Sequence, residues 1–93
     1  MKVKDLLTNE SKWSKGLAAQ TKDGKWCRPW DAAAVKWCLL GAIDKCYLPY
    51  ARYRIRAKLR RAIPGGAPII DLWQDAPHRT FKEIRRAILK AGI

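Results

Sequence analysis

Six cationic side chains, Arg52, Arg54, Arg56, Lys58, Arg60 and Arg61, fall within ten residues, and no acidic residue stands between Lys45 and Asp71. Arginine suits phosphate because its planar fork donates two parallel hydrogen bonds. Tyr50 and Tyr53 place aromatic rings beside the cations. Together these residues point to polyanion binding, with the phosphate backbone of DNA or RNA as the expected ligand. An acidic host protein is the alternative partner for the same charges, and a solvated face without a partner is the bland reading.

A second candidate is smaller. Asp75, His78 and Arg79 lie close to Trp73 and could line a polar pocket for a nucleotide. The plainer reading is that Asp75 organises a turn by accepting from backbone N–H groups. Nothing catalytic stands out: the chain has no Gly-rich phosphate loop, no HExxH and a single histidine, so nucleophile–base schemes have only His78 to use. A non-enzymatic protein without a cofactor is expected. Cys27, Cys38, Cys46 and His78 contain no C-x2-C pair, and on one helix Cys38 and Cys46 would stand about 12 Å apart, too far to share a zinc. No metal is expected, and the three cysteines read as buried thiols.

These groups need a scaffold. A net charge of +12 would suit a disordered polycation, but a hydrophobic fraction of 48 % and five tryptophans argue for a folded globule. The length allows one core, hence one domain spanning residues 1–93. No apolar run approaches the roughly 18 to 20 residues that cross a bilayer, and the opening MKVKDLLTNES lacks a signal peptide's apolar centre. A cytoplasmic protein with no membrane partner is the expectation.

The centre of the scaffold is predicted at Asp31–Tyr47, because Ala32 to Ile43 contains only Lys36 as a charge. At helical spacing Val35, Cys38, Leu39, Ala42, Ile43 and Cys46 form one apolar stripe. Asp31 is the candidate N-cap and Pro49 the stop. Gly41 reads as a close packing contact. Around this helix, Lys2–Thr8 is expected as a short helix burying Val3, Leu6 and Leu7. Trp13–Trp26 carries Asp23-Gly24, a turn signal, and predicts a small β-hairpin or ordered loop resting on the centre through Trp13, Leu17 and Trp26. Most of Trp13, Trp26, Trp30, Trp37 and Trp73 are expected in the core.

The basic segment Tyr50–Ile63 fits two templates. As a helix it turns Leu48, Ala51, Ile55, Leu59 and Ala62 inward, and as a strand its cations alternate with Tyr53, Ile55, Ala57 and Leu59. Its Ala, Arg, Lys and Leu content favours helix. Pro64-Gly65-Gly66-Ala67-Pro68 ends it in a turn, and Ile69–Trp73 reads as a short connection that could be extended. Thr80-Phe81-Lys82-Glu83 is a capping box opening a last helix with Phe81, Ile84, Ala87, Ile88 and Ala91 inward and Gly92 as its stop. The result is a mainly α single compact domain with a central buried helix, two or three flanking helices and a small β-hairpin.

Two blocks of this pattern resemble a family of small phage and bacterial proteins classed as domain of unknown function 6197. The first runs through Trp13, Gly16 and Asp23-Gly24 to Ala34-Val35-Lys36-Trp37-Cys38-Leu39-Leu40-Gly41-Ala42-Ile43. The second is Ile70-Asp71-Leu72-Trp73-Gln74-Asp75 with Arg79-Thr80 and Glu83-Ile84, where Gln74 stands in place of the usual Asn. The resemblance implies a folded domain with a phage connection and no defined activity. The basic segment lies outside both blocks.

Overall fold

The computed structural model describes residues 1–93 as five helices and one two-stranded antiparallel sheet. In chain order these are α1 (Val3–Leu6), a 3-10 turn (Glu10–Lys12), β1 (Ala19–Gln20), β2 (Lys36–Trp37), α2 (Leu39–Cys46), α3 (Pro49–Ala62), α4 (Ile70–Gln74) and α5 (Phe81–Ala91). The mainly α class with a small sheet, read from the sequence, is the architecture observed.

The central helix is shorter than its apolar run. It begins at Leu39 rather than after Asp31, and Cys38 is its N-cap, with Sγ accepting from Gly41 N at 3.2 Å. Asp31 instead closes a local turn through Ala33 N at 2.8 Å. From there the backbone is used laterally. Val35 N donates to Gln20 O, Ser14 N to Trp37 O and Cys38 N to Ala18 O, at 2.8, 3.0 and 3.1 Å. Trp37 buries its ring and donates Nε1 to Pro29 O at 2.8 Å. Burying that indole and pairing Ala19 with Trp37 outweighs the few tenths of a kcal/mol per residue by which alanine favours helix. Val35, placed on the core stripe by helical spacing, is consequently 44 % exposed. The stripe holds from Cys38 on, where Leu39, Ala42 and Ile43 are fully buried.

The Asp23-Gly24 turn forms, with Gly24 at φ 81° and Thr21 N donating to Lys25 O at 2.9 Å. It does not make a self-contained hairpin. Gln20 meets Trp26 in a single bridge, and the strand partner of Ala19–Gln20 is Lys36–Trp37. Trp26 and Trp30 are therefore left 58 % and 56 % exposed, against the expectation of core packing. Trp13 and Trp37 are buried and Trp73 half-buried.

The basic segment is a helix throughout, and Pro49 sits in its first turn, where a missing N–H costs nothing. It turns Ile55, Leu59 and Ala62 onto α5, which presents Ile84, Ala87 and Ile88. The capping box is complete: Thr80 Oγ1 accepts from Glu83 N, and Glu83 Oε1 accepts from Thr80 N at 3.1 Å. Gly92 closes α5 in the left-handed conformation at φ 72°. Because the backbone Thr80 bond and Arg79 favour the anion, the Glu83 carboxyl is held below the usual glutamate range. Its stabilisation is thus present above that range and is lost as pH falls through its folded pKa.

Ile69–Trp73 is not an extended connection. Ile70 and Gln74, one helical turn apart, are both buried, so a helix lets one short element seal the core at two points. Four-residue α1 persists by tertiary help. Val3, Leu6 and Leu7 are buried, and Arg85 of α5 donates to the carbonyls of Lys4 and Leu7 at 2.6 and 3.2 Å.

Candidate functional site

Once α3 is a helix, its six cations separate into two sets. Arg52 and Arg56 lean toward α2, where Asp44 receives both at 3.4 and 3.2 Å. Arg52 also donates to the carbonyls of Tyr47 and Asp44, each at 3.0 Å, satisfying acceptors at the end of α2. These two residues join α3 to α2. Arg54, Lys58, Arg60 and Arg61 have no carboxylate partner, since the ion pairs are those of Asp44 with Arg52 and Arg56 and of Glu83 with Arg79.

Helical geometry gathers Arg54, Lys58 and Arg61 of the unpaired set, with Arg60 to one side and half-buried. At about 100° per residue, Tyr50, Arg61 and Arg54 fall within about 40° of one another, with Lys58 about 40° beyond and Tyr53 and Arg60 flanking the other side. Ile55, Leu59 and Ala62 point the opposite way. Tyr50 and Tyr53 are 81 % and 78 % exposed.

α5 extends this face. Lys90 joins Lys58 and Arg61 along an open groove of about 260 Å³ floored by Ala62 and Ala91. Arg86, one turn before Lys90, lines a smaller neighbouring hollow of about 110 Å³ with Trp73, Pro64 and Glu83. The sequence reading missed both α5 cations. Their spacing on the polar side of α5 was visible, but not that α5 would lie along α3.

The second candidate set converges only in part, at Trp73 and Arg79. Asp75 Oδ1 accepts from Gly16 N at 3.1 Å. Arg79 stacks on Trp73 at 4.2 Å from the ring centroid, donates Nε to Trp73 O at 2.8 Å and pairs with Glu83 at 2.5 Å. His78 is exposed. Asp75 faces a cavity of about 240 Å³ shared with Asp44, Arg56, Asp71 and Cys38, whereas Trp73 faces the α5 hollow. Burial raises the Asp71 carboxyl, helped by Asp75 and opposed by Arg56. The cost of its charge in the fold is relieved as pH falls through that raised value.

Gln74, in sequence only a departure from a motif, is the buried keystone of this region. It is 1 % exposed. Its Oε1 accepts from Trp13 Nε1 at 3.2 Å and Leu39 N at 2.6 Å, and its amide donates to Asp75 Oδ1. One amide thus links α4, the start of α2 and the segment around Trp13. Gln74→Leu leaves two buried donors without an acceptor and is expected to lower unfolding free energy by about 2–4 kcal/mol. Urea denaturation measures this, and a change below about 0.5 kcal/mol would contradict the assignment.

The thiols are free and inward, Cys27 and Cys38 buried and Cys46 half-buried. Burial raises all three, and pushes Cys38 up to about 11. At pH 8 its thiolate fraction is about a hundredfold below that of an ordinary cysteine. Iodoacetamide should therefore modify Cys38 in the folded protein at least about fiftyfold more slowly than in urea, as read by peptide mass spectrometry. Equal rates would show that the site is open. No group of His, Cys, Asp or Glu side chains is arranged to hold a metal ion, and no helix is long and apolar enough to cross a membrane.

Comparison with known proteins returns the model of a Family of unknown function (DUF6197), which matches residues 1–92. The match runs through α3 as well as the two motif blocks. No curated protein and no solved structure matches the chain.

Proposed function

Because the chain belongs to DUF6197, a family that supplies no activity to carry over, we propose a function from the surface chemistry: non-enzymatic binding of polyanions, chiefly nucleic-acid phosphate, through the outward face of α3. The observation that carries this reading is the division of the α3 cations. Arg52 and Arg56 have a structural use at Asp44, whereas Arg54, Lys58, Arg60 and Arg61 have no carboxylate partner.

The unpaired cations are mutually repulsive. Arg54 and Lys58 stand four residues apart and Lys58 and Arg61 three apart, spacings at which like charges cost a few tenths of a kcal/mol per pair. Solubility alone does not call for that concentration of one sign. A phosphate backbone relieves the repulsion and releases condensed counterions, which makes binding favourable at low salt and indifferent to base sequence. Lys90 and Arg86 widen the same positive face.

The test is fluorescence anisotropy of labelled DNA and RNA against the full-length protein. Saturable binding at low salt, weakening steeply as salt rises, is expected. No binding of any nucleic acid at low salt would overturn the reading, and a complex from lysate that survives nuclease treatment would then place an acidic protein on this face.

A further inference from the structure

Resting on the polyanion reading, we infer that the α3 face is built for an unpaired polynucleotide strand rather than for a duplex. The two tyrosines carry this step. Tyr50 and Tyr53 are among the most exposed large side chains of the molecule, at 81 % and 78 %. Neither hydroxyl takes part in a hydrogen bond within the chain, unlike Tyr47, whose Oη donates to Ile93 O at 2.9 Å. Tyr47 therefore has a structural role and the other two do not.

Their position is specific. Three residues apart on one helix, they are neighbours on its surface, and Arg54 stands on the same outward side. Along α3 the face runs from these rings to the groove of Lys58, Arg61 and Lys90, a distance of about 16 Å from residue 50 to residue 61. It offers stacking surfaces at one end and cations at the other.

A duplex makes poor use of such a face. Its bases are already stacked and paired, so the rings would meet only sugar and phosphate. An unpaired strand presents free base faces, and stacking on an aromatic side chain adds to the phosphate contacts while tolerating any sequence. The tyrosines supply the part of the affinity that does not depend on salt, and the cations supply the part that does.

The experiment compares fluorescein-labelled oligo(dT), oligo(rU) and a duplex of equal length, about sixteen nucleotides, at one salt concentration. Tighter binding of either single strand than of the duplex, by about tenfold or more, is expected. Tyr50→Ala/Tyr53→Ala should lose that advantage, about tenfold or more, while leaving duplex binding and the salt slope unchanged. Tyr50→Phe/Tyr53→Phe, which keeps the rings, should retain it. Equal affinity for strand and duplex, or an unaltered double-alanine variant, would overturn this inference while leaving polyanion binding intact. Absence of binding to every oligonucleotide would overturn both.

Discussion

Gly41→Ala is expected to lower the unfolding free energy by about 3 kcal/mol or more, the upper end of the range for overpacking a well-filled site. A Cβ built on Gly41 would stand 1.8 Å from Ala18 O and 2.7 Å from Ala18 C. The obstacle is backbone, so no rotamer change relieves it. Nor is that backbone free to retreat, because Ala18 O accepts from Cys38 N at 3.1 Å and Ala19 pairs with Trp37. Inserting one methyl must either push α2 off the backbone at Ala18, just before β1, or break the bond that positions its N-cap. The sign makes the experiment decisive. On a helix with no neighbour the same change would stabilise by about 1 kcal/mol, the propensity difference between glycine and alanine. Chemical denaturation of the variant reads the outcome, and unchanged or increased stability would contradict the close approach of α2 to Ala18.

Arg54→Ala/Lys58→Ala/Arg61→Ala is the variant with the largest expected effect on binding. All three side chains are exposed and none has an ion-pair partner. Removing them should leave the fold intact, and easing like-charge repulsion should if anything stabilise it slightly. Each neutralised duplex phosphate contributes about a factor of eight to affinity at 0.1 M monovalent salt through counterion release, so three contacts are worth about two to three orders of magnitude. Arg52→Ala/Arg56→Ala should behave differently. Those residues are occupied at Asp44, so their loss should act mainly on stability. A triple variant that binds as tightly as the parent protein would remove α3 from the interface.

The parts of this molecule that sequence reading recovers are those governed by local physics. The capping box at Thr80 and Glu83, the stop at Gly92, the helix over the basic segment and the turn at Asp23-Gly24 each depend on a few adjacent residues. The errors come from contacts distant in sequence. The alanine-rich start of the predicted central helix has the right composition for helix, but Trp37 pairs with Ala19 and bonds to Pro29, and neither partner is visible from residues 31 to 38 alone. α4 is too short to signal itself by periodicity, and Gln74 gains its meaning only when Trp13 and Leu39 arrive beside it.

The candidate surface divides in the same way. Arg54, Lys58, Arg60, Arg61, Tyr50 and Tyr53 were legible as a charged and aromatic cluster. That Arg52 and Arg56 are occupied by Asp44 was not, because it requires the turn at Leu48 that folds α3 back across α2. That Arg86 and Lys90 extend the face was hidden for the same reason. Trp73, Asp75, His78 and Arg79 show the converse: closeness in sequence grouped all four, but only Arg79 and Trp73 meet, while Asp75 faces a different cavity and His78 is exposed.

The most direct test of the central claim is the salt dependence of duplex binding by the parent protein. With four to six phosphates neutralised by the α3 and α5 cations, log K should fall with log[salt] at a slope of about −4 to −5, and the triple variant should reduce that slope by about 2 to 3. A slope near zero, or one that the triple variant leaves unchanged, would contradict phosphate binding through this face.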